Sequence, residues 1–396
     1  MAKWLEKTLG EVTAFIAKGI PPKYTEKESE KTIRVLNQKC NRNFEISYNE
    51  SRIHDCEKKK VPVDKILRAG DVLINSTGTG TAGRVAQMVE VTVPTTIDGH
   101  MILIRPSEEL DPIYYGYAVK SFQSQIEGLA EGSTGQTEIN RRRLQDEVII
   151  RYPSDKLVQK NIGRFLANID EKIKTNKEIN RNLQEQAKAI FEQELLKVEK
   201  IPPSWKKGSL IDIAEFLNGL AMQKFRPGDG EIAIPVLKIK ELRQGSCDSS
   251  SDVCSSKIKS EYIIHDGDVI FSWSGSLLVD FWCGGECGLN QHLFKVSSKK
   301  FDRWFYYAWT LYHLDRFIAV ASDKATTMGH IKRDELSKAE VLIPDELDYR
   351  RIGKMLEPIY DMIISNRIAN RKLAILRDQL IPNLMSGKID VSDIEK

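Results

Sequence analysis

The segment NIGRFLANIDEKIKTNKEINRNL, residues 161–183, returns as RIGKMLEPIYDMIISNRIANRKL at residues 351–373. Across this shift of 190 positions, from 161 to 351, nine residues are identical: Ile162/Ile352, Gly163/Gly353, Leu166/Leu356, Ile169/Ile359, Ile173/Ile363, Asn176/Asn366, Asn180/Asn370, Arg181/Arg371 and Leu183/Leu373. Solenoid repeats run roughly 20–50 residues, so this period belongs to a different architecture. It divides the chain into two similar halves, each ending in a long helix.

The surroundings of the repeat support that reading. Residues 154–197 hold no proline and one glycine. Their apolar positions Ile162, Leu166, Ile169, Ile173, Leu183, Ala187 and Ile190 follow steps of four and three, the seam of a coiled coil. At 1.5 Å per residue the spacing predicts a helix ~65 Å long, stopped by Pro202 and Pro203. The second copy, 345–387, places Ile352, Leu356, Ile359, Ile363, Leu373, Leu380 and Leu384 on its seam. Pro358 predicts a kink or local break there, and Gly387 a C-terminal stop.

Each seam carries two asparagines one turn apart, Asn176 and Asn180, then Asn366 and Asn370. Asparagine in an apolar seam costs stability and fixes register. One antiparallel register pairs Asn176 with Asn370 and Asn180 with Asn366. It also brings Ile173 to Leu373, Leu183 to Ile363, Leu166 to Leu380, Ile190 to Leu356 and Ile162 to Leu384. Asparagines facing solvent on two independent helices are the alternative.

The domains ahead of each helix are related too. Trp4 corresponds to Trp205, Leu9 to Leu210, Gly70-Asp71-Val72 to Gly267-Asp268-Val269, and Ile139, Arg141 and Leu144 to Ile331, Arg333 and Leu336. The fold class that follows is α+β: two similar mixed α/β domains, 1–153 and 199–344, separated by two long helices, 154–198 and 345–387, packed as an antiparallel coiled coil with internal pseudo-two-fold symmetry. Residues 388–396 form a tail. Within the first domain, Trp4 to Lys18 has helical apolar spacing. Residues 71–74, 85–93, 101–104 and 147–150 read as strands, and Ile113 to Ile126 as helix.

Charged residues are 29% and apolar ones 41% of the 396, with a net charge of +3, so partners follow from local clusters rather than from the sum. No apolar run approaches the ~20 residues of a membrane span, and the first residues lack a signal-peptide core. A cytoplasmic protein without a membrane partner is expected. Cys40, Cys56, Cys247, Cys254, Cys283 and Cys287 then read as free thiols. The last four invite a zinc site, but the spacing of Cys247 and Cys254 is wider than zinc pairs use.

Catalytic signatures are missing. No G-x-x-x-x-G-K-[ST] or H-E-x-x-H occurs, and the carboxylates of PDELD (344–348) read as helix N-terminal charge. Gly78, Gly80 and Gly83 spell G-x-G-x-x-G after a strand, with Asp98 beyond. A dinucleotide site needs a helix to begin at those glycines. The residues that follow, Val85 to Pro94, are β-branched and end in proline, which favours a glycine-rich hairpin or DNA-facing loop, with Thr77 and Arg84 at its ends.

Polar and basic loops recur instead. Thr134, Gln136, Thr137, Asn140, Arg141, Arg142 and Arg143 stand in the first half, and Lys324, Thr326, Thr327, His330, Lys332 and Arg333 at the matching place in the second. Trp273, Ser274, Gln291 and His292 extend the second surface. These residue types contact phosphates and base edges. A solvated charged face is the plain alternative for any one loop; recurrence in both halves favours DNA.

GDV with its Gly/Ser loop (70–80, 267–276), STGQTEINRRRLQDEVIIRYP (133–153) and LRDQLIPNLMSGKIDV (376–391), set in the alternation of variable domain and repeated helix, resemble the specificity subunits of type I restriction-modification systems over essentially the whole chain. The resemblance implies that each domain is a target recognition domain reading one half of a split, asymmetric site in double-stranded DNA. It implies a spacer made by the coiled coil, on which modification subunits dock, two of them, carrying S-adenosylmethionine. It implies a motor and restriction subunit as a further partner, and no catalytic residue or cofactor on this chain. The competing readings are a scaffold that joins proteins without touching DNA, and an enzyme using a nucleotide at Gly78–Gly83.

Overall fold

In the computed structural model, residues 3–132, 137–323 and 333–389 are described. The chain forms two compact units, residues 1–171 with 374–396, and residues 172–373.

In the first unit, Trp4–Thr8 pairs antiparallel with Ile149–Pro153. A four-stranded antiparallel sheet has the order Thr13–Lys18, Met101–Pro106, Val72–Asn75, Val85–Gln87. A second sheet orders Thr95–Ile97, Thr32–Leu36, Arg52–Asp55 and Tyr24–Thr25, its first pair parallel. The second unit repeats the plan. Lys206–Ser209 pairs with Glu340–Ile343. One sheet runs Glu215–Asn218, Leu293–Ser297, Val269–Ser272, Leu278–Phe281, and the other Val253–Ser255, Ala233–Leu237, Cys287–Leu289, Ile263–Ile264.

Each main sheet is covered by an aromatic helix. Pro112–Ser121 starts at Asp111, whose carboxylate accepts from the Ile113 and Tyr114 N–H groups, while Pro112 needs no donor at that position. Its Tyr114, Tyr115 and Tyr117 are buried, as are Trp304, Phe305, Tyr307 and Trp309 of Arg303–Tyr312. Both cores reach the long helices, Lys156–Phe191 and Glu346–Met385. Ile162 and Leu166 share the core of the first unit with Ile381, Leu384 and Met385. Ala187 and Phe191, with Leu183 and Ile190 against them, share that of the second with Ile352, Leu356 and Ile363. Start meets end in each unit, so the helices run antiparallel, as the seam predicts.

The repeated glycines permit close approach. A Cβ on Gly163 would lie 2.9 Å from the Tyr114 backbone nitrogen, and one on Gly353 would lie 3.0 Å from the Trp304 indole nitrogen.

Three expectations are corrected. Trp4 to Lys18 is two strands, because its apolar positions serve two pairings, with Ile149–Pro153 and with Met101–Pro106. The turn at Gly10 is closed by Thr8 and Glu11, the Glu11 carboxylate accepting the Thr8 N–H at 2.7 Å. Val85 to Val93 is strand only to Gln87, where Val89 has turned out to solvent ahead of Pro94. Pro358 interrupts nothing. The helix continues through it, and Pro358 and Lys354 are both exposed, so water can satisfy the Lys354 carbonyl that proline cannot bond. The irregular turn lies in the first helix instead, as a π turn at Glu192–Leu196.

A charged cluster ties helix to domain in the first unit. Asp170 accepts from the Tyr117 hydroxyl and from Arg377. Lys120 bonds Asp378 at 3.4 Å and lies 4.5 Å from the centre of the Phe44 ring. Burial, with the nearby Arg377 charge, lowers the Lys120 pKa from 10.5 to about 8. Below pH 8 the ammonium is present in folded and unfolded chain alike, and its desolvation cost is fully felt. Between about 8 and 10.5 the unfolded chain binds the extra proton, so stability rises with pH. Buried thiols with raised pKa values, among them Cys247, Cys254 and Cys283, oppose this from pH ~8.5, and buried Tyr114 and Tyr115 above pH ~10. The Lys120 contribution is therefore read as the difference between the parent and Lys120→Met in urea unfolding, which is expected to shift in the parent's favour by on the order of 2 kcal/mol between pH 7.5 and 9.5. A difference that does not change with pH would show that Lys120 does not titrate in this window.

Candidate nucleic-acid interface

The loop after Val72–Asn75 is held by two other segments. Ser76 N–H donates to the His100 carbonyl at 2.9 Å, and Ile139 N–H to the Ser76 carbonyl at 2.7 Å. Thr77 bridges Glu138, and its hydroxyl lies 2.8 Å from His100 Nδ1. Gly78, Gly80 and Gly83 have φ of 111°, 69° and 88°, the left-handed region open to glycine. A Cβ on Gly83 would also strike the Glu127 backbone at 2.6 Å. Strand Val85–Gln87 follows, so no helix begins at these glycines, as a phosphate cradle of this motif requires. Arg84 donates to the Gly80 carbonyl at 3.0 Å. Burial, with the neighbouring Arg42 charge and against that of Glu127, lowers its pKa.

Thr134 and Gln136 lie outside the described residues; Thr137 is half-buried. Asn140 and the arginines after it are a helix, Arg141–Glu147, rather than a loop. Asn140 is its cap, accepting the Arg142 and Arg143 N–H groups. Arg143 is spent on Glu147 and Glu131. Arg141 and Arg142 are exposed, Arg142 with Asp146 at 3.7 Å.

In the second unit the Trp273 indole donates to Asn218 at 3.0 Å and stacks on Phe294. The Ser274 hydroxyl lies 3.1 Å from His292 Nδ1, and the Gln291 amide 3.4 Å from His292 Nε2. Lys324, Thr326, Thr327, His330 and Lys332 fall outside the described residues. Arg333 begins the helix Arg333–Ser337 and donates to the Phe216 carbonyl at 2.9 Å.

Beside His292 opens a cleft of about 920 Å³, lined by Arg226, Lys238, Lys240, Asn290 and Gln291. The first unit has a groove of about 510 Å³ lined by Thr25, Glu26, Arg34 and Arg52, apart from His100. There Arg52 stacks 3.4 Å above Tyr24. These cations, and His100, escape a reading by local motif, because no single window of sequence holds them together. The signal that finds His100 is the repeat: Asp98-x-His100 aligns with Asn290-x-His292.

Among the described residues no group of three or more His, Cys, Asp or Glu is placed to hold a metal ion. Burial raises the Cys247, Cys254 and Cys283 thiols to about 11. No helix among the described residues is long and apolar enough to cross a membrane.

A duplicated α/β unit, each copy gathering hydroxyl, imidazole, amide and guanidinium groups on loops carried by a shared helix pair, defines a two-module recognition protein. The profile of the type I restriction modification DNA specificity domain matches the chain twice, at residues 1–185 and 202–373; the chain belongs to that family. The type I restriction enzyme MjaIX specificity subunit of Methanocaldococcus jannaschii is 25% identical over 71% of this chain and 69% of its own. The EcoBI specificity subunit of Escherichia coli is 22% identical over 46% of this chain and 38% of its own. The crystal structure of the type I restriction-modification S subunit from M. genitalium shares the fold, with a TM-score of 0.56, 16% identity, and 97% and 96% of the two chains covered.

Proposed function

We propose that the chain is the non-catalytic DNA-recognition subunit of a type I restriction-modification enzyme. Each unit reads one half of a bipartite, asymmetric duplex site, and the paired helices set the separation of the halves. The helices dock modification subunits, two per chain, with S-adenosylmethionine bound there rather than here. A restriction and motor subunit completes the cytoplasmic assembly.

The observation that carries this is the recurrence of one loop cluster in two units whose surrounding side chains differ. Donors and acceptors such as Thr77, Arg84, Gln291 and Arg226 are the chemistry of phosphate and base-edge contacts. Unlike neighbours around a common frame suit two unlike half-sites.

The test is to exchange residues 1–153 for the first domain of another family member, co-express the chimera with the modification subunit, and map methylated adenines on a plasmid. One half-site is expected to change and the other to stay. A change in both halves, or in the methylated base, would defeat the modular reading.

A further inference from the structure

The two units hold one histidine in the same way. In the first, the Thr77 hydroxyl engages His100 Nδ1 at 2.8 Å, and the His100 backbone N–H donates to the Asp98 carboxylate at 2.9 Å. In the second, the Ser274 hydroxyl engages His292 Nδ1 at 3.1 Å, and the His292 N–H donates to the Asn290 side-chain oxygen at 3.2 Å. Asp98 and Asn290 are 5% and 7% exposed, so both anchors are fixed.

The support beneath is also shared. Ile20 bridges Asp98 and Leu220 bridges Asn290. A Cβ on Gly19 would lie 2.1 Å from the Asp98 carbonyl oxygen, and one on Gly219 would lie 2.2 Å from that of Asn290. Five positions therefore recur: a glycine, an apolar bridge residue, a hydroxyl, an Asx and a histidine. The residues around them do not. Gly99 stands where Gln291 stands, and the loop Thr79–Arg84 has no counterpart in Gly275–Leu277.

With the hydroxyl proton given to Nδ1, the imidazole carries its own proton on Nε2. His100 is exposed, so its Nε2–H is a donor at the first candidate interface; His292 is half-buried, and its Nε2 faces the Gln291 side-chain amide across a weak 3.4 Å contact that a phosphate oxygen would displace. The two units differ in the groups that would read bases. A contact kept in both must address what two unlike half-sites have in common, and that is the sugar-phosphate backbone.

We propose that His100 and His292 are the equivalent phosphate contacts of the two units, each donating Nε2–H to a phosphate oxygen and setting the register in which neighbouring side chains meet base edges. This rests on the DNA-recognition reading above.

The experiment uses the full chain with its modification subunits, the cognate duplex, and duplexes carrying each single base-pair change. H100A and H292A are each expected to weaken binding about tenfold, the weight of one hydrogen bond to a charged group. The loss should be equal on every duplex, leaving base preference intact. Glutamine carries an amide donor near the position of Nε2, so H100Q and H292Q should recover most of the affinity. T77V and S274A, which free the ring, should show a smaller uniform loss. Relaxed preference at one base pair would reassign the histidine to base reading and overturn the proposal. Unchanged binding in the alanine variants, or a loss that glutamine does not recover, would make the pair a loop staple and overturn it too. If the unaltered complex prefers no duplex, the recognition reading itself fails; if it does and only these outcomes fail, the fault lies in this inference alone.

Discussion

Asp71→Ala is expected to destabilise the first unit by about 3–5 kcal/mol, the usual cost of stripping one partner from a buried ion pair. Asp71 is the acid of the repeated Gly-Asp-Val motif and is 2% exposed. Its two oxygens take Arg105 as a fork, Nε at 2.7 Å and Nη2 at 3.0 Å, and one of them also caps the Arg68 N–H at 2.8 Å. The Asp64 and Ile66 carbonyls hold the rest of the guanidinium, so Arg105 cannot swing out to water when the carboxylate is lost. The repeat provides an internal control. Asp268 caps the His265 N–H at 2.9 Å and pairs with Lys295 at 2.8 Å. Both side chains there are about a fifth exposed, and a lysine stem can carry its charge to solvent. Asp268→Ala should therefore cost about 1–2 kcal/mol, near the value of a cap and a partly exposed pair. Denaturant unfolding of both variants measures the difference. Equal losses would mean that the fork geometry of Arg105 contributes nothing beyond charge.

The sequence makes the long helices and the duplication legible for one reason: both are periodic, and period survives without knowledge of partners. The seam positions from Ile162 to Ile190 and from Ile352 to Leu384 are defined by their own spacing. The strands at Trp4–Thr8 and Thr13–Lys18 are not. Their apolar residues imitate a helix, and only the pairings with Ile149–Pro153 and Met101–Pro106 reveal two extended segments. Polar signals fail in a similar way. Arg141 to Arg143 read as a basic loop although Asn140 is a helix cap, a local signature that outranks the charge run. Arg143 is then consumed by Glu131 and Glu147. Of the interface groups, Lys238 and Lys240 open one short helix, Ile239–Gln244, while Arg226 lies on a separate loop, and nothing local joins the three to His292. His100 is intermediate. Nothing near it marks a site, yet the repeat aligns it with His292 once the shift is followed through the shorter second domain.

Asn180→Leu is expected to cost about 1–3 kcal/mol, because it removes a buried amide and strands the Asn366 amide that donates to it. The asparagines form two ladders related by exchange of the helices. Asn366 donates to the Asn180 oxygen at 2.9 Å, and Asn180 donates to the Ile363 carbonyl at 3.2 Å. Asn176 donates to the Asn370 oxygen at 2.8 Å, and Asn370 donates to the Ile173 carbonyl at 3.2 Å. Asn180 is 6% exposed and Asn366 half-buried, so the single variant leaves the Asn366 amide and the Ile363 carbonyl without their partner and with only partial access to water. Adding Asn366→Leu replaces both partners with apolar groups and should return about 1–2 kcal/mol, read as the coupling energy of a double-mutant cycle. Stability and register then separate. A seam that is apolar at this layer tolerates slipped pairings that the amides would oppose. The double variant, assembled with its modification subunits, is therefore expected to methylate sites with more than one spacer length while remaining nearly as stable as the parent. A variant that stays confined to one spacer would assign the register to the remaining pair, Asn176 and Asn370, and to the apolar layers. The variant lacking all four asparagines would then have to broaden, or the amides do not set the spacing.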